Sequence, residues 1–419
     1  MKPKNRPALM AVGLVLLFLS FLAFQKNADS LVRQLSELNY LNFSFLQSET
    51  TKTLFVKLSP TEIDQTAVQS ATGLITFFTA GMTKIFNPNR KRLLSTPIRL
   101  TDNEPQPNSK TFLPIPTPYD DRTNWPGKTH QATHPSVIQF DHEWNGYKYW
   151  MAFTPYPYGN DKKENPSLVA SQDGIHWVVP ANISNPIVSA ALISSYVFDN
   201  YLSDCHLLYN DHTKEMELWY RYVSNRKNDE IICRVKTKDA ARWSAPEKML
   251  SDAGNLLQYV SPSVLYDENK YKMWIMRDWS IYYLESLDGK IWSEASSIYA
   301  AGKPIHSWHP HISKIGGIYY LLNNDNDTNT GAGGNIYYST STDGINFSPE
   351  KLILGYTGNG ISYDSTGVYR ASMISGEKGF YLYYGQVSSS YQWTIGLATG
   401  PTLDALNGIT EAELKKSKG

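Results

Sequence analysis

The sequence has no excess of either charge and almost no cysteine. Its 39 Lys and Arg residues balance 39 Asp and Glu residues, so the net charge at neutral pH is zero. A chain that binds nucleic acid normally presents a basic surface, and this composition therefore argues against nucleic acid as a partner. The two cysteines, Cys205 and Cys233, are predicted to lie on the first and third strands of one sheet. A strand between them argues against a disulfide, so two buried thiols are expected.

Long apolar runs are also scarce, and the clearest one is at the N-terminus. Three basic residues precede an uninterrupted apolar run from Ala8 to Phe24. A basic start followed by an apolar core is typical of a secretory signal or a signal anchor. No small-x-small cleavage site follows, and the run is about long enough to span a bilayer. Residues 1–26 are therefore interpreted as an uncleaved anchor in the cell membrane, with the rest of the chain on the extracytoplasmic side.

Residues 27–124 are predicted to form a stalk and linker that is in part helical. The stretch from Gln65 to Thr83 carries no charge, and a second membrane span there would place the C-terminal part inside the cell. The same stretch is rich in Thr, Gln, Ser and Gly, which are poorly suited to hydrocarbon, so an amphipathic or stalk helix is favoured. Residues 101–128 are rich in Pro, Asn and Asp and are interpreted as a linker.

The chain does contain a repeated turn motif. Each copy combines Asp-Gly with an aromatic residue three positions after the glycine. The copies are Ser171–Trp177, Ser286–Trp292 and Ser341–Phe347, with a degenerate version at Lys238–Trp243. The aspartate can accept hydrogen bonds from the backbone just after it, and glycine tolerates a positive φ, so Asp-Gly predicts a tight turn. A repeat of roughly 50 residues with several short strands is typical of a β-propeller blade.

Short apolar and aromatic strands surround every copy of the turn, which predicts an all-β fold. We expect a five-bladed β-propeller over residues 125–400, followed by a C-terminal tail at 401–419. Thr111–Ile115 is predicted to complete the fifth blade and close the ring. A β-sandwich also has regularly spaced strands, but the repeated turn favours the propeller. The 28 Tyr and 11 Trp residues suit sheet faces and also sugar-stacking surfaces.

Propeller geometry selects candidate site residues. The starts of the first strands and the ends of the second strands open on one face, which normally holds the ligand. The first-strand candidates are His134, Asp204, Ser261, His309 and Asp364, with His206 and His311 two residues further on. The second-strand candidates are Tyr156, Arg221, Arg277, Asp278, Asn323, Asn324 and Asp325. Each has a structural alternative, such as a turn cap or an ion pair between neighbours.

These turns, together with the final Ile395–Thr399 segment, resemble those of the five-bladed propeller glycoside hydrolases, which include arabinanases, β-xylosidases and invertase-like fructosidases. In the arabinanase–xylosidase branch, carboxylates open the first strands of blades one, two and three. The matching positions here are His134, Asp204 and Ser261, so only Asp204 agrees with the pattern. The Asn-Asp-Pro motif of the invertase-like members is absent. The chain is thus similar to a divergent member without the full set of catalytic carboxylates.

The resemblance implies a glycosidase-like protein that acts on an envelope or extracellular polysaccharide. Asp204 would be the base or the carboxylate that tunes a neighbouring pKa, and Asp278 or His134 the acid. A carboxylate pair about 5–10 Å apart is required for two-carboxylate hydrolysis, and Asp278 or Asp325 could pair with Asp204. Arg221 and Arg277 suggest an acidic sugar. The alternative is a glycan-binding propeller without catalysis. No spacing motif requires a cofactor or metal, although His and carboxylate side chains near the axis are compatible with a structural cation.

Overall fold

The computed structural model describes residues 41–47, 52–58, 107–119, 130–190, 200–224, 229–253, 259–324 and 334–416. The predicted anchor at 1–26 and the uncharged stretch at 65–83 lie outside these residues. The chain divides into two compact units, Met1–Thr96 and Pro97–Gly419. In the first unit, β1 (Leu41–Gln47) and β2 (Lys52–Leu58) form an antiparallel hairpin. Among the described residues, no helix is long and apolar enough to cross a membrane.

The second unit is built from antiparallel sheets that follow one another along the chain. The first sheet contains β3 (Ala132–Trp144), β4 (Tyr147–Pro155) and β5 (Ser167–Ser171). The second contains β6 (Asn200–Asn210), β7 (Glu215–Ser224), β8 (Asp229–Thr237) and β9 (Glu247–Ala253). The third contains β10 (Val260–Asp267), β11 (Lys270–Arg277), β12 (Ser280–Ser286) and β13 (Ser296–Ser297).

Two further large sheets complete the series. One contains β16 (His311–Ile315), β17 (Ile318–Asn324), β18 (Ile336–Ser341) and β20 (Lys351–Leu354). The other contains β21 (Gly367–Gly376), β22 (Gly379–Val387), β23 (Trp393–Gly400) and β24 (Asn407–Gly408), and the short helix α1 (Glu411–Lys416) follows it. The all-β propeller prediction is therefore confirmed.

The prediction of five blades is wrong, because the described residues of the second unit form six sheets. The additional sheet is small and contains β14 (Tyr299–Ala300), β15 (Lys303–Pro304) and β19 (Asn346–Phe347). β14 pairs in parallel with β19, which directly follows one of the Asp-Gly turns. Strands of two residues have no detectable alternation of apolar and polar side chains, so sequence periodicity cannot reveal them.

The first strands of the five larger sheets pack around a common axis. β3 packs against β6 and β21, β10 packs against β6 and β16, and β16 packs against β21. We call the side where these strands begin the rim face, and the side where they end the base face. Apolar clusters fill the space between neighbouring sheets; one joins Trp150 of β4 to Leu218 of β7.

The last sheet also pairs with a segment that precedes the first sheet in the sequence. The backbone N–H of Leu113 donates to the carbonyl of Ile395 in β23 at 2.8 Å. The predicted role of the 111–115 segment in the last blade is confirmed at this bridge. β24, which the sequence analysis did not anticipate, pairs with the other end of β23. Cys205 lies on β6 and Cys233 on β8, the first and third strands of one sheet as predicted, and both thiols are buried.

The repeated turns lie on the base face, where the turn at Gly174 contacts the adjacent sheet. Oδ1 of Asp173 accepts the backbone N–H groups of Ile175 and His176, both at 2.8 Å. Gly174 has φ 74°, and Tyr383 of the last sheet donates to its carbonyl at 2.9 Å. A Cβ atom at Gly174 would lie 2.7 Å from the Tyr383 hydroxyl. The glycine is therefore required both by the turn and by the close approach of the adjacent sheet.

Candidate active site

The candidate site begins with backbone bulges at the start of the first strands. Between Thr133 and Ser136 of β3, three residue steps oppose two on β4, and β6, β10 and β21 show the same irregularity. The bulged residues His134, Asp204 and Ser261 have φ values of 54°, 53° and 55°. A bulge re-aims a side chain out of the regular alternation of a strand. Three different strands thereby direct polar side chains toward the axis.

Four of the predicted first-strand residues form one cluster. Nε2 of His134 lies 3.2 Å from Oδ1 of Asp204, and Nδ1 of His309 lies 3.5 Å from the same oxygen. The Ser261 hydroxyl is hydrogen bonded to Nδ1 of His309. All four residues are at most 3% exposed. Within the described part of the chain, His134, Asp204 and His309 also form a group whose potential ligand atoms lie within 4.8 Å of one another.

Two residues that the sequence analysis missed border this cluster. Oε1 of Glu164 lies 3.4 Å from Nδ1 of His134, and Glu164 is 4% exposed. The Tyr369 ring packs edge-on against His309, with 4.4 Å between ring centroids. A detectable signal did exist for Tyr369, because it occupies the bulge of β21 that corresponds to His134 in β3. Glu164 lies in the loop before β5, where strand periodicity gives no information.

Burial and neighbouring charges shift the pKa values of the groups in the cluster in different directions. Burial lowers the pKa of His134 to about 3, although the Asp204 carboxylate opposes this shift. Burial likewise holds the pKa of His309 well below its usual value. Burial alone would raise the pKa of Asp204, but Arg221 and the two imidazoles lower it below its usual range. Burial, reinforced by Asp204, raises the pKa of Glu164 well above its usual value. The cluster thus combines an ionised aspartate with neutral imidazoles.

Arg221 fixes the orientation of Asp204. Its Nε lies 2.7 Å from Oδ2 of Asp204, and its Nη1 lies 3.2 Å from Oε1 of Glu230. The guanidinium also donates to the Ser203 hydroxyl at 3.2 and 3.1 Å. This charge is therefore paired with carboxylates of the protein, as in the structural alternative of an ion pair, and binding of an acidic sugar by Arg221 stays a prediction.

Other predicted site residues lie outside the cluster. Asp364 accepts hydrogen bonds from Asn108 and Thr357, and burial raises its pKa. Asp278 is exposed in the turn between β11 and β12, and Arg277 lies over the Tyr259 ring. The remaining positions are Asn323, which donates to Glu350, Asn324, which donates to the Val368 carbonyl, Tyr156, which packs on Trp393, and Asp325, which lies outside the described residues.

A second histidine layer lies closer to the base face. The rings of His206 and His311 have centroids 5.5 Å apart, and His206 Nε2 is 2.8 Å from the Val264 carbonyl oxygen. Both histidines line a cavity of about 500 Å³ on the base side, together with Asp211 and Lys314. Apart from the two histidines, its lining is mostly apolar, and its charged side chains are Asp141, Asp211 and Lys314. The cluster around Asp204 is therefore the better candidate for chemistry.

Comparison with known proteins finds a similar deacetylase and similar solved propeller structures. No protein-family profile matches the sequence. The A type blood N-acetyl-α-D-galactosamine deacetylase of Flavonifractor plautii is 24% identical over 294 residues, covering 58% of this chain and 37% of the relative. The chain thus spans little more than a third of the length of this curated relative.

Solved structures give the same picture of the fold. An N-acetylgalactosamine deacetylase from F. plautii, in complex with blood group B trisaccharide, matches with a TM-score of 0.57 and 19% identity, covering 72% of this chain and 93% of that one. A β-xylosidase/α-arabinofuranosidase from a compost microbial metagenome, in complex with xylotriose, matches with a TM-score of 0.48 and 14% identity, covering 69% and 94%. The match to the deacetylase supports a similar propeller fold for this chain.

Proposed function

We propose that this protein is a carbohydrate-acting hydrolase that removes the acyl group of an N-acylated sugar with the help of a divalent cation. The observation that carries the proposal is the buried group of His134, Asp204 and His309. Two imidazoles and one carboxylate on a rigid scaffold are a common donor set for catalytic zinc and related ions. The sequence relation to a deacetylase supports this reaction class.

The cluster passes a simple test of fit for a cation. Nε2 of His134, Oδ1 of Asp204 and Nε2 of His309 are buried and make no hydrogen bond of good geometry among the described residues, although the first two atoms lie 3.2 Å apart. A buried polar atom without a partner is costly, and coordination would remove that cost. Arg221 and Ser261 hold Asp204 and His309 in place, as outer groups do around metal ligands. A divalent cation held by these atoms would supply Lewis-acid polarisation of a carbonyl group.

Glu164 is well placed to orient His134, which is one of the proposed cation ligands. Its carboxyl group lies against the far nitrogen of the His134 ring, within the same buried space. Because Glu164 faces Nδ1 of His134 and Asp204 faces Nε2, Glu164 would act by holding the ring in place for a cation on its other side, and the proton of the attacking water would pass to the leaving amine. Tyr369 and the burial of the cluster exclude bulk water from the site.

Cleavage of a glycosidic bond by two carboxylates is less well supported. Asp204 and Glu164 approach opposite nitrogens of the same imidazole, so the His134 ring occupies the space between them. Such a mechanism needs that space for the scissile bond. The other candidate partner, Asp278, lies in an exposed turn.

The test is an assay of the purified full-length chain, in detergent, on a panel of N-acetylated oligosaccharides and polysaccharides. We expect release of acetate and appearance of a free amine. Chelation should abolish both products, and Zn²⁺, Mn²⁺ or Co²⁺ should restore them. His309→Ala should also lose bound metal, measured by elemental analysis. New reducing ends without acetate would indicate a glycosidase instead, and saturable glycan binding without either product would indicate a non-catalytic receptor.

We also propose that the protein acts outside the cytoplasm on an envelope or extracellular polysaccharide, anchored through residues 1–26. The basic start and apolar run of that segment support this placement. A reporter fused after Gly419 should be active only in its extracytoplasmic form. A cytoplasmic signal would instead favour a second span at residues 65–83.

A further inference from the structure

Five aromatic side chains form a continuous arc along the rim face. Trp279 packs against Trp308 with 4.7 Å between ring centroids, and Nε1 of Trp308 donates to the Tyr369 hydroxyl at 3.0 Å. The Tyr369 ring contacts Trp393 at 5.1 Å, and Trp393 contacts Tyr391 at 5.8 Å. We call these five residues the aromatic arc.

The middle of the arc touches the proposed reaction centre. Tyr369 lies 4.4 Å from the ring centroid of His309 and 5.5 Å from that of His134. The arc therefore passes the buried cluster at its centre and extends away from it on both sides. A ligand that binds along the whole arc would therefore extend on both sides of the sugar unit that reacts.

The two ends of the arc, unlike its middle, face solvent. Trp279 is 44% exposed and Tyr391 is 42% exposed. Both have left-handed backbones, with φ values of 63° and 60°. A bulky residue in this region is an outlier, and such strain tends to persist where function requires the side chain.

The turn at the other end of β11 has the same backbone conformation and provides a comparison. Both ends of this strand have a two-residue turn with positive φ at each position. On the base face the second position is Asn269, which suits that backbone, whereas on the rim face it is Trp279. Since Trp279 packs on Trp308 and is 44% exposed, turn geometry and core packing do not explain the tryptophan.

We propose that the aromatic arc is an extended oligosaccharide-binding surface, in which Trp279 and Tyr391 each stack on a sugar ring that flanks the reacting sugar. The C–H face of a pyranose is apolar, and a rigid aromatic ring binds it with little loss of conformational entropy. The inference rests on the proposed function for the identity of the reacting sugar. It adds that the substrate is a chain of at least three sugar units.

The test compares binding with ligand length. The probes are N-acetylglucosamine and its β-1,4-linked oligomers of two to four units, and N-acetylgalactosamine with an N-acetylgalactosamine-containing trisaccharide. Calorimetry on the full chain should show affinity that rises with length. Trp279→Gly and Tyr391→Asn should each weaken binding of the longest effective probe by about tenfold and leave the monosaccharide almost unchanged. Neither should lower the thermal midpoint, because glycine and asparagine suit the left-handed backbone.

Asn269→Gly is the matched control, since it alters the corresponding turn on the base face and should leave binding unchanged. Equal affinity of Trp279→Gly, Tyr391→Asn and the unaltered chain for every probe would overturn the proposal. So would affinity that does not rise with length for any probe. The proposed function fails separately: absence of acetate release with length-dependent binding retained would refute the deacetylase and leave the arc intact.

Discussion

The two faces of the propeller are made from the same strands but differ in where they place backbone strain. On the base face, positive φ values fall mostly at glycine and asparagine, such as Asn145, Gly174 and Asn269, which adopt them easily. The exceptions there are Lys214, Ala240 and Glu268. On the rim face they fall at Asp204 and Ser261, and at bulkier residues such as His134, Trp279 and Tyr391. Among the described residues, every aromatic or imidazole side chain with a left-handed backbone therefore lies on the rim face. Strain of this kind usually marks a functional region.

The largest expected contrast is between one aspartate on each face. Asp204→Asn keeps the size of the side chain and removes the charge in the cluster, so we expect turnover to fall by at least roughly 10³-fold, or about 4 kcal/mol of activation free energy. Asp343→Asn weakens a base-face turn, where Asp343 accepts two backbone N–H groups at 2.8 Å. It should leave turnover per folded molecule unchanged. Full activity in Asp204→Asn, measured by acetate release, would remove Asp204 from the mechanism.

The base face should instead control stability. Gly344→Ala places a Cβ atom 2.8 Å from the Trp274 ring at a residue with φ 75°. We expect this change to lower the free energy of unfolding by about 2 kcal/mol, from backbone strain and the steric conflict. The measurement is chemical denaturation followed by tryptophan fluorescence. A loss of turnover greater than the loss of folded protein would contradict the separation of the two faces.

The degenerate turn offers the reverse test. Ala240 has φ 58° at the position that glycine occupies in the other copies. Ala240→Gly should therefore stabilise the protein by about 0.5–1 kcal/mol, since relief of strain exceeds the added chain entropy. A matched change at Ala170, which lies in β5 and is fully buried, should destabilise the protein. Destabilisation by Ala240→Gly would mean that its methyl group contributes more through packing than it costs in strain.

The smallest effect concerns acid stability on the base face. Partial burial alone would raise the pKa of Asp267, but hydrogen bonds from Lys272, Lys314 and Tyr319 lower it below its usual value. A lowered pKa means that the unfolded chain binds the proton more readily, so this contribution is present above about pH 4 and is lost as the pH falls further. Asp267→Asn should flatten that part of the stability profile. An unchanged slope below pH 4 would show that this ion pair contributes nothing measurable.

The sequence predicted correctly which strands contribute to the cluster, but it did not predict every residue that those strands place there. His134, Asp204, Ser261 and His309 were identified from strand order, and they do converge. Asp364 was selected in the last sheet because strand starts were judged by apolar pattern. The corresponding position is Tyr369, five residues further on, because β21 begins only at Gly367 and bulges between Val368 and Ala371. A bulge shifts every assignment by one residue, and periodicity cannot locate it without the partner strand.

What the sequence determined by itself was local: the Asp-Gly turns, the alternating strands and the recurrence that makes them a propeller. Those features depend on residues a few positions apart, so their physics can be read directly from neighbouring letters. Only the tertiary structure decided that a sixth, two-residue-stranded sheet forms, that Glu164 lies against His134, and that five aromatic residues from distant parts of the chain make one arc. Each of these depends on the register between strands and on contacts across large separations in sequence, which are set when the sheets close around their axis.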